Sequence, residues 1–183
     1  VPYGYKKSDT DKKKWLIDEP AAVIVKRIYA LCLNGRGPSQ IARQLEKEKV
    51  PVPSAYYDSI GRKHSAKTPA NIYGWDQRTV ASILENRQYT GCTVNFKSST
   101  VSYKVHKKIE FDESEWQVIP NTQEAIIDEE TFNIAHEMRQ SRRRNTATGR
   151  KSMFSGLVFC GDCGSKLYFA ASKSINEKQE FFR

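Results

Sequence analysis

Two cysteines near the C-terminus are the sharpest chemical signal in this chain. Cys160-Gly161-Asp162-Cys163-Gly164 sets two thiols two residues apart, with a glycine after the second. A turn of this kind directs both sulfurs at one tetrahedral ion, the arrangement of a zinc knuckle. Leu157 to Phe159 and Lys166 to Phe169 read as flanking apolar strands, which makes half of a zinc ribbon. The same spacing serves thiol redox chemistry when a helix N-terminus follows and lowers a thiol pKa. Here Gly164-Ser165-Lys166-Leu167-Tyr168 reads as strand, which favours zinc. Tetrahedral zinc takes four ligands, and nothing between Cys163 and Arg183 supplies a second pair. His64, His106 and His136 are scattered and read as ordinary surface or interface histidines. The other two ligands are therefore expected beyond residue 183, with zinc weak or absent in this stretch alone.

A second constellation is built from polar and cationic side chains. Asp76 is a good helix N-cap, followed by Gln77, Arg78, Thr79, Ser82 and Glu85 on one face and Val80, Ile83 and Leu84 on the other. Gln77 and Arg78 are side chains of the type that bond adenine and guanine edges in the major groove. An earlier helix offers Gln40, Arg43 and Gln44 outward in the same way. Arg139, Arg142, Arg143, Arg144, Arg150 and Lys151 form a basic run without an intervening acid. A helix C-terminus takes one or two cations to complement its dipole, so the length of this run favours phosphate contact. No Gly-rich phosphate loop, His-Glu-x-x-His or nucleophile–base pair is present. Asp112, Glu113 and Glu115 read as a solvated turn.

The elements that carry these residues follow from periodicity and punctuation. Asp18-Glu19-Pro20 opens a helix whose stripe Val25, Ile28, Tyr29, Cys32 faces a core, and Gly35 and Gly37 stop it. Cys32 thereby reads as a small buried hydrophobe. A second helix starts at Pro38-Ser39, buries Ile41 and Leu45, and ends at Pro51 and Pro53. Residues 54–74 read as a long connection with a basic surface at Arg62, Lys63, His64 and Lys67. The Asp76 helix leads into a strand from Cys92 to Phe96, with partner strands at Thr100 to Val105 and Trp116 to Ile119 and a loop from Lys107 to Ser114. Ile126-Ile127-Asp128 opens a last helix through Phe132, Ala135 and Met138. Residues 1–17 read as an extended arm with one short strand or turn. Three short helices with a glycine turn suggest a helix-turn-helix-like unit. The expected class is α+β: this helical cluster with a small antiparallel sheet, then a partial zinc-ribbon β unit.

Composition bounds the rest. Lys plus Arg is 30 against 21 Asp plus Glu, a net charge of +9, which suits a polyanion. Apolar residues at 38% are enough for a core. No apolar run is long enough to span a membrane. Cysteine use points to a reducing compartment. The first residues lack the order of a signal peptide, and the chain reads as a piece of something longer.

The order of motifs resembles one family along essentially the whole chain. Pro2-Tyr3-Gly4-Tyr5 is followed by Trp15-Leu16-Ile17-Asp18-Glu19, then Gly37-Pro38-Ser39 with Ile41-Ala42 and Leu45. Trp75, Val80, Ile83-Leu84, Asn86, Tyr89 and Gly91 come next, then Ile126-Ile127-Asp128, Phe154-Ser155-Gly156-Leu157 and the cysteine pair. The series is similar to the recombinase domain plus zinc ribbon of the large serine recombinases, which include phage integrases and transposon recombinases. The resemblance implies a serine-bearing catalytic domain ahead of Val1 and two units tracking one attachment half-site on double-stranded DNA. It implies a DNA-binding domain over 1–140, a basic linker over 141–152 and a truncated zinc ribbon over 153–183. Tyr3, Tyr5 and Lys6 would cross the DNA, Gln77, Arg78, Thr79 and Ser82 would lie at the major groove, and Cys160 and Cys163 would be the first zinc pair. Partners would be double-stranded DNA and other recombinase subunits, in the cytoplasm at the nucleoid, with no membrane and no small-molecule substrate. The function expected is sequence-specific binding at attachment sites during integration or excision of a mobile element. Alternatives are a transcriptional regulator with a helix-turn-helix and a zinc ribbon, and a protein–protein module with an incidentally basic surface.

Overall fold

The computed structural model describes residues 1–11, 14–105, 107–140, 150, 152–172, 176 and 179–183. They divide into two compact units, Val1–His136 and Glu137–Arg183. The first is a helical cluster edged by short antiparallel strand pairs, the α+β class expected from the sequence.

Helix α1 (Glu19–Leu33) carries Pro20 in its first turn, where the missing amide hydrogen has no partner to lose. It buries Ala21, Ala22, Val25, Ile28, Tyr29 and Cys32, the stripe read from the sequence. In α2 (Pro38–Lys47) Ile41, Ala42 and Leu45 are buried, while Gln40 Oε1 accepts from the Gly37 amide at 3.0 Å. The irregular connection expected over 54–74 is corrected at its start. Pro53 does not end a helix but begins one, α3 (Pro53–Ser59), because a first-turn position requires no donor. Helix α4 (Gln77–Glu85) buries Val80, Ile83 and Leu84, and a 3₁₀ turn from Arg87 to Thr90 then buries Tyr89. In α5 (Glu129–Gln140) Phe132 and Ala135 are buried, and Asp128 Oδ1 accepts from the Thr131 amide at 2.7 Å.

Tyrosines organise the core of the first unit. Tyr5, Tyr29 and Tyr89 are fully buried, with ring centroids 6.1 Å apart for Tyr5–Tyr89 and 6.4 Å for Tyr29–Tyr89. Leaving a buried phenol unbonded costs about 1–3 kcal/mol, and each of the three finds a carbonyl. Tyr5 donates to Glu124 O at 2.7 Å, Tyr29 to Ile83 O at 3.1 Å and Tyr89 to Tyr3 O at 2.8 Å. Burial pushes the Tyr5 phenol up to about 12 and Tyr89 higher still, so both stay neutral as donors.

The N-terminal arm is a hairpin: β1 (Tyr5–Lys7) pairs antiparallel with β2 (Trp15–Ile17). Four further strands form a two-stranded ribbon: β3 (Thr93–Asn95), β4 (Ser98–Thr100), β5 (Lys108–Glu110) and β6 (Gln117–Ile119). β3 pairs with β6 and β4 with β5, both antiparallel. Two sequence expectations shift here. The strand expected at Thr100 to Val105 lies at Ser98–Thr100, and the expected loop from Lys107 to Ser114 contains β5. All six residues of β4 and β5 are exposed, so no in–out alternation marks them.

In the second unit, Phe159 bridges Lys166 across the Cys160–Cys163 turn, and β7 (Phe169–Ala170) pairs with β8 (Phe181–Phe182). Among its described residues Ser155 and Ala171 alone are buried.

Gly91 is the joint at the ribbon root. Its φ of 84° is left-handed, and its carbonyl accepts from the amides of Thr122 at 3.0 Å and Gln123 at 3.3 Å. A Cβ there would stand 2.8 Å from Gln123 O. Gly91→Ala is therefore expected to destabilise the chain by about 2 kcal/mol, read as a lowered urea midpoint at unchanged slope. An unchanged midpoint would show that the Gln123 segment yields at little cost.

Candidate nucleic-acid interface

The site is built on α4. Asp76 caps it, accepting from the Arg78 amide at 2.6 Å. Its inner face, Val80, Ile83 and Leu84, packs against α1 and α2. Tyr29 from α1 donates to Ile83 O at 3.1 Å and reaches Leu84 O at 3.4 Å, which holds the C-terminal end of α4. The N-terminal end is tied to α2, where the Ser39 hydroxyl donates to Gln77 Oε1. A helix fixed at both ends presents its outer side chains on a rigid base.

On that outer face Gln77, Arg78 and Ser82 are exposed and Thr79 is half-buried. Arg78, Thr79, Ser82 and Asn86 form one side of an open groove, and Pro2, Pro53 and Tyr57 form the other. Burial raises the Tyr57 phenol, opposed by the Arg62 guanidinium lying 4.6 Å from its ring centre. The groove walls Pro53 and Tyr57 are absent from the sequence reading. The adjacent tyrosines Tyr56-Tyr57, within the stretch that reads as a long connection, are the available signal, since such rings are largely buried on average.

Other expected contacts are distributed differently. Arg43 and Lys6 are exposed, and Gln40 is exposed with its oxygen accepting from Gly37. In the arm expected to cross the DNA, the rings of Tyr3 and Tyr5 turn inward, and Tyr3 lines the floor of the groove. Tyr3 is 8% exposed and Tyr5 is fully buried, so both side chains belong to the core. Arg62, part of the basic surface expected on the 54–74 connection, donates to Tyr5 O at 2.9 Å and fastens the arm from outside. In the second unit Arg139 is half-buried, and Arg150 pairs with Glu180 at 2.7 Å, which occupies a cation expected on phosphate. Arg142, Arg143, Arg144, Lys151 and His106 lie outside the described residues. His64 meets Asp58 at 2.9 Å and His136 stacks on Phe132, both structural placements.

The cysteine pair sits on a tight turn. Gly164 N donates to Cys160 O at 3.0 Å and Cys160 N to Ser165 O at 2.8 Å, with Gly164 at a φ of 68°. The hydroxyl and amide of Ser165, then the Cys160 thiol, hold the Cys163 thiol below its usual value. A stabilised thiolate beside a second thiol suits a soft cation. Among the described residues no group of three or more His, Cys, Asp or Glu side chains is arranged to hold a metal ion. The turn fits half of a tetrahedral site.

A family model described as Recombinase matches residues 19–142, more than half of the chain and the stretch that contains α1 to α5. The chain belongs to the Recombinase family. Two solved structures share its fold. One, "Crystal Structure of a LSR-DNA Complex", has a TM-score of 0.50 and 18% identity, covering 99% of this chain and 45% of that one. The other, "Sequence Requirements of the Listeria innocua prophage attP site", has a TM-score of 0.50 and 19% identity, covering 98% of this chain and 60% of that one. The chain thus spans about half the length of the structures it matches.

Proposed function

We propose that this chain is a double-stranded DNA-reading segment of a site-specific serine recombinase, with α4 entering the major groove. The observation that carries the reading is the outer face of α4: Gln77, Arg78, Thr79 and Ser82 on a helix locked from behind. An α-helix with its side chains is about 10–12 Å across and fits a major groove about 12 Å wide. Family membership and the net charge of +9 support a DNA partner. One of the structures that shares the fold is described as a DNA complex.

In this reading the target is an attachment site and the parent protein runs integration or excision of a mobile element. Its catalytic serine lies in another part of that protein, and other recombinase subunits complete the synapse. Arg43 and Lys6 meet phosphates beside the groove, and the basic stretch with Arg142, Arg143, Arg144 and Lys151 supplies further phosphate contacts. No helix of the described residues is long and apolar enough to cross a membrane.

Cys160 and Cys163 supply the first half of a structural zinc site. Among the described residues of the second unit few apolar side chains are buried, which supports this role, because small units of this kind rely on a metal or disulfide staple.

Arg78→Ala is expected to weaken binding to the cognate site by about 1–3 kcal/mol and to leave random duplex nearly unaffected. Fluorescence anisotropy on both duplexes reads the difference, and equal losses would place Arg78 on phosphate rather than on a base. This chain alone is expected to bind zinc weakly, because affinity depends on the full ligand set. An extension carrying two further cysteines should hold about one equivalent. One tightly held zinc per chain in residues 1–183, measured by chelator competition, would contradict that ligand assignment.

A further inference from the structure

The ribbon that springs from the end of α4 is not explained by the fold. Its outer half, β4 and β5, is exposed on both faces, and a lone two-stranded ribbon is at best marginally stable in water. Its side chains are unusual for a solvated hairpin. Tyr103 is 92% exposed at the tip, with Val101 at 52% and Val105 at 49% beside it. From Lys97 to Ile109 the sequence holds Lys97, Lys104, Lys107 and Lys108 and no Asp or Glu. The acids Glu110, Asp112, Glu113 and Glu115 all follow on the return strand, toward the root. Charge is therefore sorted along the ribbon, basic at the tip and acidic near the base.

The root is rigid. Gln123 Nε2 donates to Cys92 O at 2.7 Å and to Gln88 O at 3.0 Å, and Gly91 accepts the two amides described above. Ten residues separate Thr93 from Tyr103, and at ~3.3 Å each they reach at most ~33 Å, close to one turn of B-DNA. Lys97 lies over the Trp116 ring at 5.2 Å and Lys108 meets Glu110 at 2.9 Å, which leaves Lys104 and Lys107 as the exposed tip cations.

We propose that this ribbon is a second DNA-contacting element, whose tip meets the sugar-phosphate backbone within about one helical turn of the α4 contact. The charge sorting selects a polyanion, because the stretch that extends beyond Glu110, from Ser99 to Ile109, carries lysines and no acid. A two-stranded ribbon has the cross-section of a groove, and the Ser98 and Ser102 hydroxyls add neutral donors for phosphate. Tyr103 supplies an apolar face for the sugar edge. The inference rests on the reading of α4 as the DNA-contacting helix.

The test uses the 183-residue chain, random-sequence linear duplex and a range of salt concentrations. Each phosphate neutralised contributes roughly 0.9 to the slope of log affinity against log salt, so K104A/K107A should flatten that slope by up to ~1.8. Both lysines are exposed, and thermal unfolding of the variant should match the parent. In a second arm, a benzophenone-bearing residue at position 103 should cross-link to the duplex, whereas the same probe at Val23, exposed on α1, should not. An unchanged slope, or cross-linking from position 103 to a second protein chain instead of DNA, would overturn the ribbon assignment while the α4 reading stands. No binding of duplex by the unsubstituted chain at low salt would overturn both.

Discussion

The candidate interface depends on how the inner face of α4 is held. Helices of nine residues are too short to persist in water by themselves. What keeps this one formed is burial of Val80, Ile83 and Leu84 together with the Tyr29 hydroxyl on its last carbonyls. Carbonyls of a last turn lack i+4 amide partners. Ile83 O accepts from the cap amide of Asn86 at 3.3 Å, and the phenol from α1 adds a second donor that ties this end of the helix to the core. Asp76 caps the opposite end. Once the ends are fixed, the direction of every outer side chain follows.

The same tyrosine network draws in the N-terminal arm. Tyr3 accepts from Tyr89 through its carbonyl, Tyr5 stacks on Tyr89, and Gly4 between them adopts a φ of 98°. A Cβ at Gly4 would come within 3.0 Å of Ile126 Cδ1, so this close passage suits glycine. Arg62 closes over the arm from the loop side. Pro2 is thereby brought to the rim of the groove beside α4. The arm is an internal strut of the unit, and its register is set by core packing.

Much of this was legible in the sequence where a physical signal was strong. The stripe Val25, Ile28, Tyr29, Cys32 gave α1, Asp76 marked the start of α4, and both survive in the structure. The failures have equally local causes. Pro53 serves as stop signal and as first-turn residue alike, and periodicity over seven residues does not separate the two. Strands exposed on both faces show no alternation, which displaced β4 and hid β5. Tyr3 and Tyr5 carry the same residue type that a DNA-facing arm would carry. Their burial is set by long-range partners such as Glu124, which no local pattern reveals.

The most direct test of α4 as the reading surface is an amide NMR titration of the isotope-labelled chain with duplex DNA. Shifts concentrated on Gln77 to Glu85, with smaller changes at Lys6, Gln40 and Arg43, are the predicted result. Perturbations that leave Gln77, Arg78, Thr79 and Ser82 unchanged while mapping to another face of the first unit would contradict it.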